Sequence, residues 1–290
     1  SFFEISRSII QSIKIIKKEK PDLIFGFGGY VSFPISFISK FFGIPLIIYE
    51  NNVVLGRANK ILSFFSKKIL LAKNIESSFS KRNKIKCIKV GPILNKDVYK
   101  YSNKIKNYNK EQFSILVLGG SQGAKIFGEI IPPVIQMLKR EVKIIEVNQQ
   151  CILEQKDEIS NFYKKNQIKF NFFEFKKNIV ELQSSADLAI TRCGAATTAE
   201  LAHTLTPFIG IPLKNSIDDH QYFNAKYYED LGCCWVLEQD HFNTKNLFNL
   251  IIEIIKNKNK LEDMSKNIKN FLSINVYEDI ENEVKKVILK

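Results

Sequence analysis

Residues 114–124 read SILVLGGSQGA, an apolar run followed by a glycine-rich turn and then by an amphipathic helical pattern. Such a run predicts a buried strand that leads directly into a helix. Glycine permits positive φ angles and close approach to the backbone, and the free N–H groups of a helix N-terminus attract phosphate, to which Ser121 adds a hydroxyl donor. The stretch therefore predicts an α/β fold with an anion-binding turn. A tight turn that serves packing alone is the alternative.

Short apolar runs alternate with helical patterns on both sides of this stretch. The alternation is typical of βαβ units with a parallel sheet. Four strands are predicted before a polar stretch, at residues 22–27, 45–50, 68–72 and 87–90, and five after it, at residues 113–118, 142–147, 168–173, 188–191 and 207–211.

The polar stretch divides the chain. Residues 99–112, YKYSNKIKNYNKEQ, are rich in Lys and Asn and lack periodicity, which indicates a linker between domain 1–98 and domain 113–260. Residues 261–290 have a helical pattern of mixed charge and could pack back on the first domain. The chain opens on a helical pattern over residues 1–19, although nucleotide-binding α/β domains normally begin with a strand, so we expect the first domain to be incomplete.

The composition is that of a globular protein, with 45% apolar and 25% charged residues. It excludes collagen-like and disordered classes, and no apolar stretch reaches the ~18 residues that a spanning helix needs. The five cysteines lack a Cys-x-x-Cys spacing, so we expect neither disulfides nor a zinc site. We therefore expect the protein to be in a reducing cytoplasm. The net charge of +13 would suit nucleic acid, an anionic membrane surface or a phosphorylated substrate.

A second turn, TRCGAATTAE at residues 191–200, also follows an apolar strand. Its small side chains would let a bulky ligand approach the helix N-terminus. Glu200, about one turn into that helix, could accept two hydrogen bonds from a ribose diol. The alternative is an exposed first-turn carboxylate that the helix dipole favours.

Three further polar segments lie where open α/β sheets bind ligands, at the carboxyl ends of predicted strands. Residues 218–224, DDHQYFN, offer the paired donors and acceptors that sugar hydroxyls need, and His220 is the histidine that we place in a site. The alternative is a helix start that Asp218 or Asp219 caps. In the first half, residues 25–32 and 49–52 are the corresponding segments, and Glu50 is a candidate functional carboxylate.

Several metal and nucleotide motifs are absent from the sequence. It contains no Asp-x-Asp pair, no histidine cluster and no Gly-x-x-x-x-Gly-Lys-Ser/Thr loop. We therefore expect no metal and no cofactor, with a diphosphate neutralised by helix N-termini and basic side chains.

Taken in order, these motifs resemble the MurG family, bacterial transferases that add N-acetylglucosamine to the lipid-linked muramyl-pentapeptide precursor of peptidoglycan. The resemblance covers the chain from about Pro21 onward. It rests on GGYVS at 28–32, Glu50-x-Asn52, Asn59-Lys60, GGSQGA at 119–124, Arg192-x-Gly194-Ala195 with Thr197 and Glu200, and Asp218-x-His220-Gln221-x-x-Asn224. It implies two Rossmann-like domains of the GT-B glycosyltransferase type and an inverting transfer from UDP-N-acetylglucosamine.

The resemblance also implies roles for individual residues, with the donor bound mostly by the second half. Ser121, Gln122 and Gly123 would hold the diphosphate, and the segment around Lys176 would meet uracil through backbone groups. Gln221, flanked by His220, would bind the sugar. The remaining substrate contacts implied are Asn52, Asn95, Arg192, Ala195, Ala196, Thr197, Thr198, Ala199 and Glu200, the last on ribose. Glu50 is the best remaining carboxylate for acid–base catalysis.

The sequence departs from the family pattern in two places. The family's N-terminal glycine-rich loop, with a histidine proposed as base or as ligand of the acceptor diphosphate, has no counterpart, which leaves the activity of this chain open. Asn95 stands where the family usually has an arginine, so one substrate contact is in doubt.

The opening helix fits the resemblance because it is amphipathic and basic at its end. Lys14, Lys17, Lys18 and Lys20 could meet an anionic membrane surface, where the undecaprenyl-linked acceptor resides. We expect a peripheral protein on the cytoplasmic face of the inner membrane. The alternative is a helix that packs on the core and has a solvated end.

Two other functional classes compete with this interpretation. A diacylglycerol galactosyltransferase or a UDP-N-acetylglucosamine epimerase would share the two domains, but GGSQGA together with His220-Gln221 argues against both. A basic nucleic-acid-binding protein would explain the charge, yet it predicts aromatic residues interleaved with Lys and Arg on one face. The lysines here are scattered, so we expect no nucleic-acid partner.

Overall fold

The computed structural model describes residues 2–102, 106–108, 111–142, 144–269, 272 and 275–289, with the backbone alone for residues 2–6 and 121–124. The chain divides into two compact units, residues 1–93 with 273–290, and residues 94–272. The division thus falls at Ile93 rather than at residue 98. Residues 261–272 belong to the second unit, and the segment after them belongs to the first.

The first unit is built on a parallel sheet of four strands in the order β1-β2-β3-β4. Its elements are α1 (Phe2–Glu19), β1 (Ile24–Gly26), α2 (Gly29–Ile38), β2 (Leu46–Glu50), α3 (Arg57–Leu62), β3 (Lys68–Leu71), α4 (Lys81–Lys84), β4 (Cys87–Lys89) and α13 (Val276–Ile288). Strands β2 and β3 are apolar except for Glu50 at the end of β2 and Lys68 at the start of β3, because helices cover both faces of the sheet.

Helices from opposite ends of the sequence cover those two faces. Ile16 of α1 is buried with the cluster that includes Ile48 and Leu71, whereas Ile280 and Val284 of α13 pack against the cluster that includes Ile47. One face of α1 therefore packs on the core, as the alternative interpretation of this helix requires. Its other face leaves Ile10 and Ile15 about half exposed.

The second unit contains a parallel sheet of six strands in the order β10-β9-β8-β5-β6-β7. Its elements are α5 (Lys96–Tyr99), β5 (Gln112–Leu118), α6 (Gly120–Glu141), β6 (Ile144–Gln150), α7 (Leu153–Lys165), β7 (Lys169–Phe173), α8 (Ile179–Ser185), β8 (Leu188–Thr191), α9 (Ala195–His203), β9 (Phe208–Gly210), α10 (His220–Asp230), β10 (Cys234–Val236), α11 (Thr244–Lys256) and α12 (Lys258–Lys269).

This strand order is that of a doubly wound nucleotide-binding domain, and it reverses direction between β5 and β8. Such a reversal leaves a crevice outside the carboxyl ends of the two strands, into which ligands bind. Together the two parallel sheets confirm the predicted α/β class. Among the described residues, no helix is both long and apolar enough to cross a membrane.

Part of the predicted linker packs on the second unit. Tyr108 is buried, and its hydroxyl lies 2.7 Å from the Ser265 Oγ. Burial raises the pKa of Tyr108. Lys106 bonds to the same unit through its ammonium group. Strand β10 was not predicted from the sequence.

Candidate functional site

A cavity of about 400 Å³ opens at the carboxyl ends of β5 and β8, where the strand order reverses. The turn after β5, the segments after β6 and β7, and helices α8, α9 and α10 all contribute to its wall. The lining residues are Leu118, Gly119, Gly120, Gln150, Phe173, Phe175, Lys176, Ile179, Gln183, Thr191, Arg192, Gly194, Thr197, Glu200, Leu213 and Gln221.

The glycine-rich turn brings the N-terminus of α6 to the cavity. Gly120 has φ +63°, a conformation that an L side chain rarely adopts. Its N–H donates to Gln150 Oε1 over 3.1 Å, and Gln150 Nε2 donates in turn to the Glu174 carbonyl over 3.1 Å. The side chains of Ser121 and Gln122 lie outside the described part of the structure, as does the surrounding of Gly123, so their diphosphate contacts stay predictions.

The second turn places the start of α9 at the same cavity. Gly194, Thr197 and Glu200 line it, whereas Ala195 and Ala196 do not. Thr198 and Ala199 face the protein interior and are fully buried. The Thr198 hydroxyl donates to the Gly194 carbonyl over 3.0 Å.

The predicted substrate contacts of Ala195, Ala196, Thr198 and Ala199 therefore stay predictions.

Glu200 presents a half-buried carboxylate to the cavity. Its Oε2 accepts a hydrogen bond from Gln183 Nε2 over 3.0 Å. Burial raises the pKa of Glu200, and the hydrogen bond from Gln183 opposes that shift because it favours the ionised form. Glu200 is half-buried and lines the cavity, so it is not the exposed first-turn carboxylate of the alternative interpretation.

Gln221 is held by two strand-end turns at once. Its Oε1 accepts from the Cys193 N–H over 3.2 Å and from the Leu213 N–H over 3.0 Å. These donors fix the amide so that Nε2 remains for a ligand, and the structure records no partner for that atom among the described residues. Gln221 therefore offers the cavity an oriented hydrogen-bond donor.

His220 does not line the cavity. It is the half-buried first residue of α10, and its Nδ1 lies 2.6 Å from the Ile217 carbonyl. Asp219 occupies the N-cap position of α10 with φ +50°, as the capping alternative predicts, although its side chain makes no cap hydrogen bond.

Arg192 lines the cavity, but its guanidinium bonds to backbone carbonyls of the protein. Nη1 donates to the Ile211 carbonyl over 3.1 Å and to the Pro212 carbonyl over 3.3 Å, and the group stacks 5.2 Å from the Phe127 ring centroid. Burial lowers the pKa of Arg192. These contacts fix the loop after β9.

Lys176 and Phe175 form the side of the cavity that follows β7. The Phe175 ring is 84% exposed, which is unusual for a large apolar side chain. Sequence reasoning did not single out Phe175, Gln150 or Gln183. The run FFEFKK at residues 172–177 was the available signal for the first of these.

In the first unit, Glu50 is 4% exposed and its carboxylate holds the loop after β2. Oε1 accepts from the backbone N–H of Asn52 over 3.0 Å and from its Nδ2 over 3.2 Å. Oε2 accepts from the Gly56 N–H over 3.0 Å and from Asn59 Nδ2 over 2.9 Å. This arrangement is that of a structural carboxylate, and the acid–base role suggested for Glu50 stays a prediction.

A buried lysine lies near this network. Lys73 is 3% exposed, and burial lowers its pKa to about 7, with the Glu50 charge opposing the shift.

Asn95 begins helix α5 and caps it. Its side-chain oxygen accepts from the Asp97 N–H over 3.0 Å. Asparagine is among the best N-cap residues, which accounts for its presence without a ligand. Within the described ranges, no group of three or more His, Cys, Asp or Glu side chains could hold a metal ion.

Comparison with known proteins gives the family. Residues 1–71 match the glycosyltransferase family 28 N-terminal domain, and residues 114–279 match the C-terminal domain of that family. The UDP-N-acetylglucosamine–N-acetylmuramyl-(pentapeptide) pyrophosphoryl-undecaprenol N-acetylglucosamine transferase of Rickettsia canadensis (strain McKiel) is 38% identical over 269 residues, which are 91% of this chain and 75% of that protein.

Solved structures agree with that match. The crystal structure of Acinetobacter baumannii MurG has a TM-score of 0.81 at 27% identity, covering 99% of this chain and 81% of the other. A UDP-GlcNAc 2-epimerase from Neisseria meningitidis bound to UDP-GlcNAc has a TM-score of 0.67 at 14% identity, over 97% of this chain and 80% of the other, which shows a shared fold alone. The predicted GT-B architecture and the resemblance are thereby confirmed, and the chain belongs to the MurG family of glycosyltransferases, within glycosyltransferase family 28.

Proposed function

We propose that the chain transfers N-acetylglucosamine from UDP-N-acetylglucosamine to the 4-hydroxyl of the undecaprenyl-linked muramyl-pentapeptide. This is the reaction that names the Rickettsia canadensis relative. The observation that carries the proposal is the cavity at the strand-order reversal, which combines two helix N-termini, the Glu200 carboxylate and the oriented Gln221 amide. Each of these matches one part of a nucleotide sugar.

The cavity suggests where each part of the donor would bind. The exposed ring of Phe175 offers a stacking face for uracil, and Glu200 can accept hydrogen bonds from the ribose hydroxyls. Backbone N–H groups at the start of α6 suit the diphosphate, while Gln221 Nε2 can donate to a hydroxyl of the sugar.

The reaction that we propose is an inverting displacement. A bond forms between the acceptor oxygen and the anomeric carbon as the bond from that carbon to the diphosphate oxygen breaks. UDP leaves with the electron pair, and the acceptor hydroxyl loses its proton. Backbone N–H groups fixed at the N-termini of α6 and α9 would stabilise the negative charge that grows on UDP, and such preorganised dipoles need no metal ion.

We further propose that the protein works at an anionic membrane surface on the cytoplasmic face of the inner membrane. Exposed Lys14, Lys17 and Lys18 lie along α1 beside the half-exposed Ile10 and Ile15. A basic amphipathic surface of this kind binds anionic lipid. Sedimentation with vesicles that contain phosphatidylglycerol tests the proposal, and binding that persists after all three lysines are changed to Gln would contradict it.

Calorimetric titration tests the donor assignment directly. UDP-N-acetylglucosamine and UDP-glucose are titrated separately in the presence of EDTA, which removes divalent ions. We expect the first to bind more tightly and binding to collapse in Glu200→Ala.

Glu154→Ala is the matched control, because Glu154 is a first-turn carboxylate of α7 outside the cavity. Absence of heat with both nucleotides in the folded wild type would overturn the proposal. A salt-sensitive shift of DNA without UDP-sugar binding would favour the nucleic-acid class instead.

A further inference from the structure

Gln183 is a buried polar residue that lines the nucleotide cavity. It lies near the end of α8 and is fully buried. Its Nε2 donates to Glu200 Oε2, as described above, whereas its Oε1 is buried without a hydrogen-bond partner among the described residues. A buried orphan oxygen costs free energy, on the order of 1–3 kcal/mol. An apolar side chain of the same size would avoid that cost but would lose the hydrogen bond to Glu200, so that bond is what the glutamine provides.

The backbone around Gln183 is fixed by a lysine from the segment before β5. Lys106 Nζ donates to the Gln183 carbonyl over 3.2 Å and to the Ala186 carbonyl over 2.5 Å. The Thr206 hydroxyl donates to the same Gln183 carbonyl over 2.6 Å. A cation at the C-terminal end of a helix also interacts favourably with the helix dipole. The end of α8 is therefore held from two sides, which limits the positions that the Gln183 amide can take.

We infer that Gln183 is a positioning residue for ribose recognition, an inference that rests on the proposed nucleotide-sugar function. Its amide N–H fixes the Glu200 carboxylate in one rotamer and favours the ionised form. The remaining lone pairs of Glu200 are thereby held ready for the two ribose hydroxyls. Without Gln183, Glu200 would sample other rotamers, and the hydroxyl at the 2′ position would add less to the affinity.

The test measures ribose discrimination as well as affinity. UDP and 2′-deoxy-UDP are titrated into the wild type, Gln183→Leu and Gln183→Met by calorimetry. In wild type we expect UDP to bind more tightly than its 2′-deoxy analogue. In both variants we expect UDP affinity to fall about tenfold, because a Glu200 side chain that samples other rotamers binds the ribose hydroxyls less well, and we expect the preference for UDP to shrink.

Two further variants separate positioning from structure. Gln149→Leu is the matched control, because Gln149 is also a fully buried glutamine with one partnered and one orphan side-chain atom, and it does not line the cavity. We expect it to leave the ratio of the two affinities unchanged. In a Glu200→Gln background, Gln183→Leu should lower the ratio no further, because the carboxylate that it positions is already gone.

The outcomes are distinct for the two proposals. If Gln183→Leu and Gln183→Met both keep the wild-type preference for UDP over 2′-deoxy-UDP, the positioning role is overturned and the donor assignment is unaffected. Failure of the wild type to bind UDP at all overturns both. Urea denaturation of each variant excludes loss of fold as the cause: the gain from removing the orphan oxygen opposes the loss of the hydrogen bond to Glu200, so we expect each variant to remain folded.

Discussion

Asn59 Nδ2 lies 2.9 Å from Glu50 Oε2, and the same nitrogen lies 3.0 Å from the Tyr49 carbonyl. Asn59 therefore joins the end of β2 to the helix that follows it. A carboxylate has about four acceptor sites, and Glu50 accepts four hydrogen bonds from the loop and from this amide. Glu50 thus has no acceptor site left for the proton of a substrate.

Glu50→Gln tests this structural role. The new amide nitrogen would face N–H donors, so we expect the folded state to lose about 2–4 kcal/mol in urea denaturation. UDP affinity should remain that of the wild type, because the nucleotide cavity is lined by residues of the second unit. A variant as stable as the wild type with a large loss of transfer activity would restore Glu50 as the acid–base group.

Gly28→Ala tests the packing next to Asn59. Gly28 has φ +75°, and a Cβ there would lie 2.9 Å from Asn59 Nδ2. The substitution therefore combines backbone strain with displacement of the amide, and we expect a loss of about 2–4 kcal/mol in thermal or urea unfolding.

Gly43→Ala provides the control, since Gly43 has φ +68° but open space around the added carbon. It should cost only the strain, about 1 kcal/mol. Gly28, with ψ −169°, lies in a backbone region that is essentially glycine-only, whereas Gly43, with ψ 11°, is in the left-handed helical region. Equal losses in the two variants would therefore mean that neither this extra strain nor the contact with Asn59 contributes.

The sequence specifies the fold well because its signals are local. The strand and turn at residues 114–124 identify the first βα unit of the second domain, and the alternation of strands and helices then leaves few topologies. The buried segment after α5 was harder to predict. Lys106 and Tyr108 lie in a polar stretch without periodicity, and their contacts with the second unit depend on residues far along the chain.

Site residues were predictable where ligand-binding side chains lie directly after the ends of strands. Glu200 and Gln221 follow strand ends and line the cavity, as expected. Glu50, Asn95 and Arg192 follow the same pattern, yet their side chains bond to the backbone of the protein.

A polar residue at a strand end can bind a ligand or hold a turn, and both roles need the same hydrogen-bonding groups. Gln183 could not be predicted, because its partner is on another helix and its own segment shows no motif.

Lys73→Met should change the pH dependence of stability. In the folded chain the pKa of Lys73 is lowered to about 7, whereas in the unfolded chain it is near 10.4. Between these values the unfolded state binds more protons at this site, so wild-type stability rises with pH. At pH 7 we expect Lys73→Met to be the more stable protein, by up to about 4 kcal/mol, and the difference to shrink toward pH 10.

Urea denaturation from pH 7 to 10 measures this difference. Lys89→Met is the control, because Lys89 is an exposed lysine on β4 of the same sheet. Its stability should run parallel to that of the wild type at every pH. If Lys73→Met also runs parallel, the folded chain keeps an ordinary pKa at Lys73.

Gln221→Glu separates the role of the Gln221 side-chain oxygen from that of its nitrogen. A glutamate can keep the hydrogen bonds from the Cys193 and Leu213 N–H groups, because a carboxylate oxygen replaces the amide oxygen as acceptor. It loses the N–H donors that we assign to the donor sugar, and it adds a negative charge near the diphosphate. We expect UDP-N-acetylglucosamine affinity to fall 10- to 100-fold, which corresponds to about 1.4–2.8 kcal/mol.

Gln221→Met removes both ends and gives the comparison. It should also lower stability, because the two N–H groups lose their acceptor, whereas Gln221→Glu should unfold at a similar urea concentration to the wild type. Gln221→Met adds no charge, so it isolates the sugar contact: UDP lacks the sugar and should lose less affinity in this variant than the full donor does. Equal losses for UDP and for UDP-N-acetylglucosamine in Gln221→Met would show that the amide does not contact the sugar.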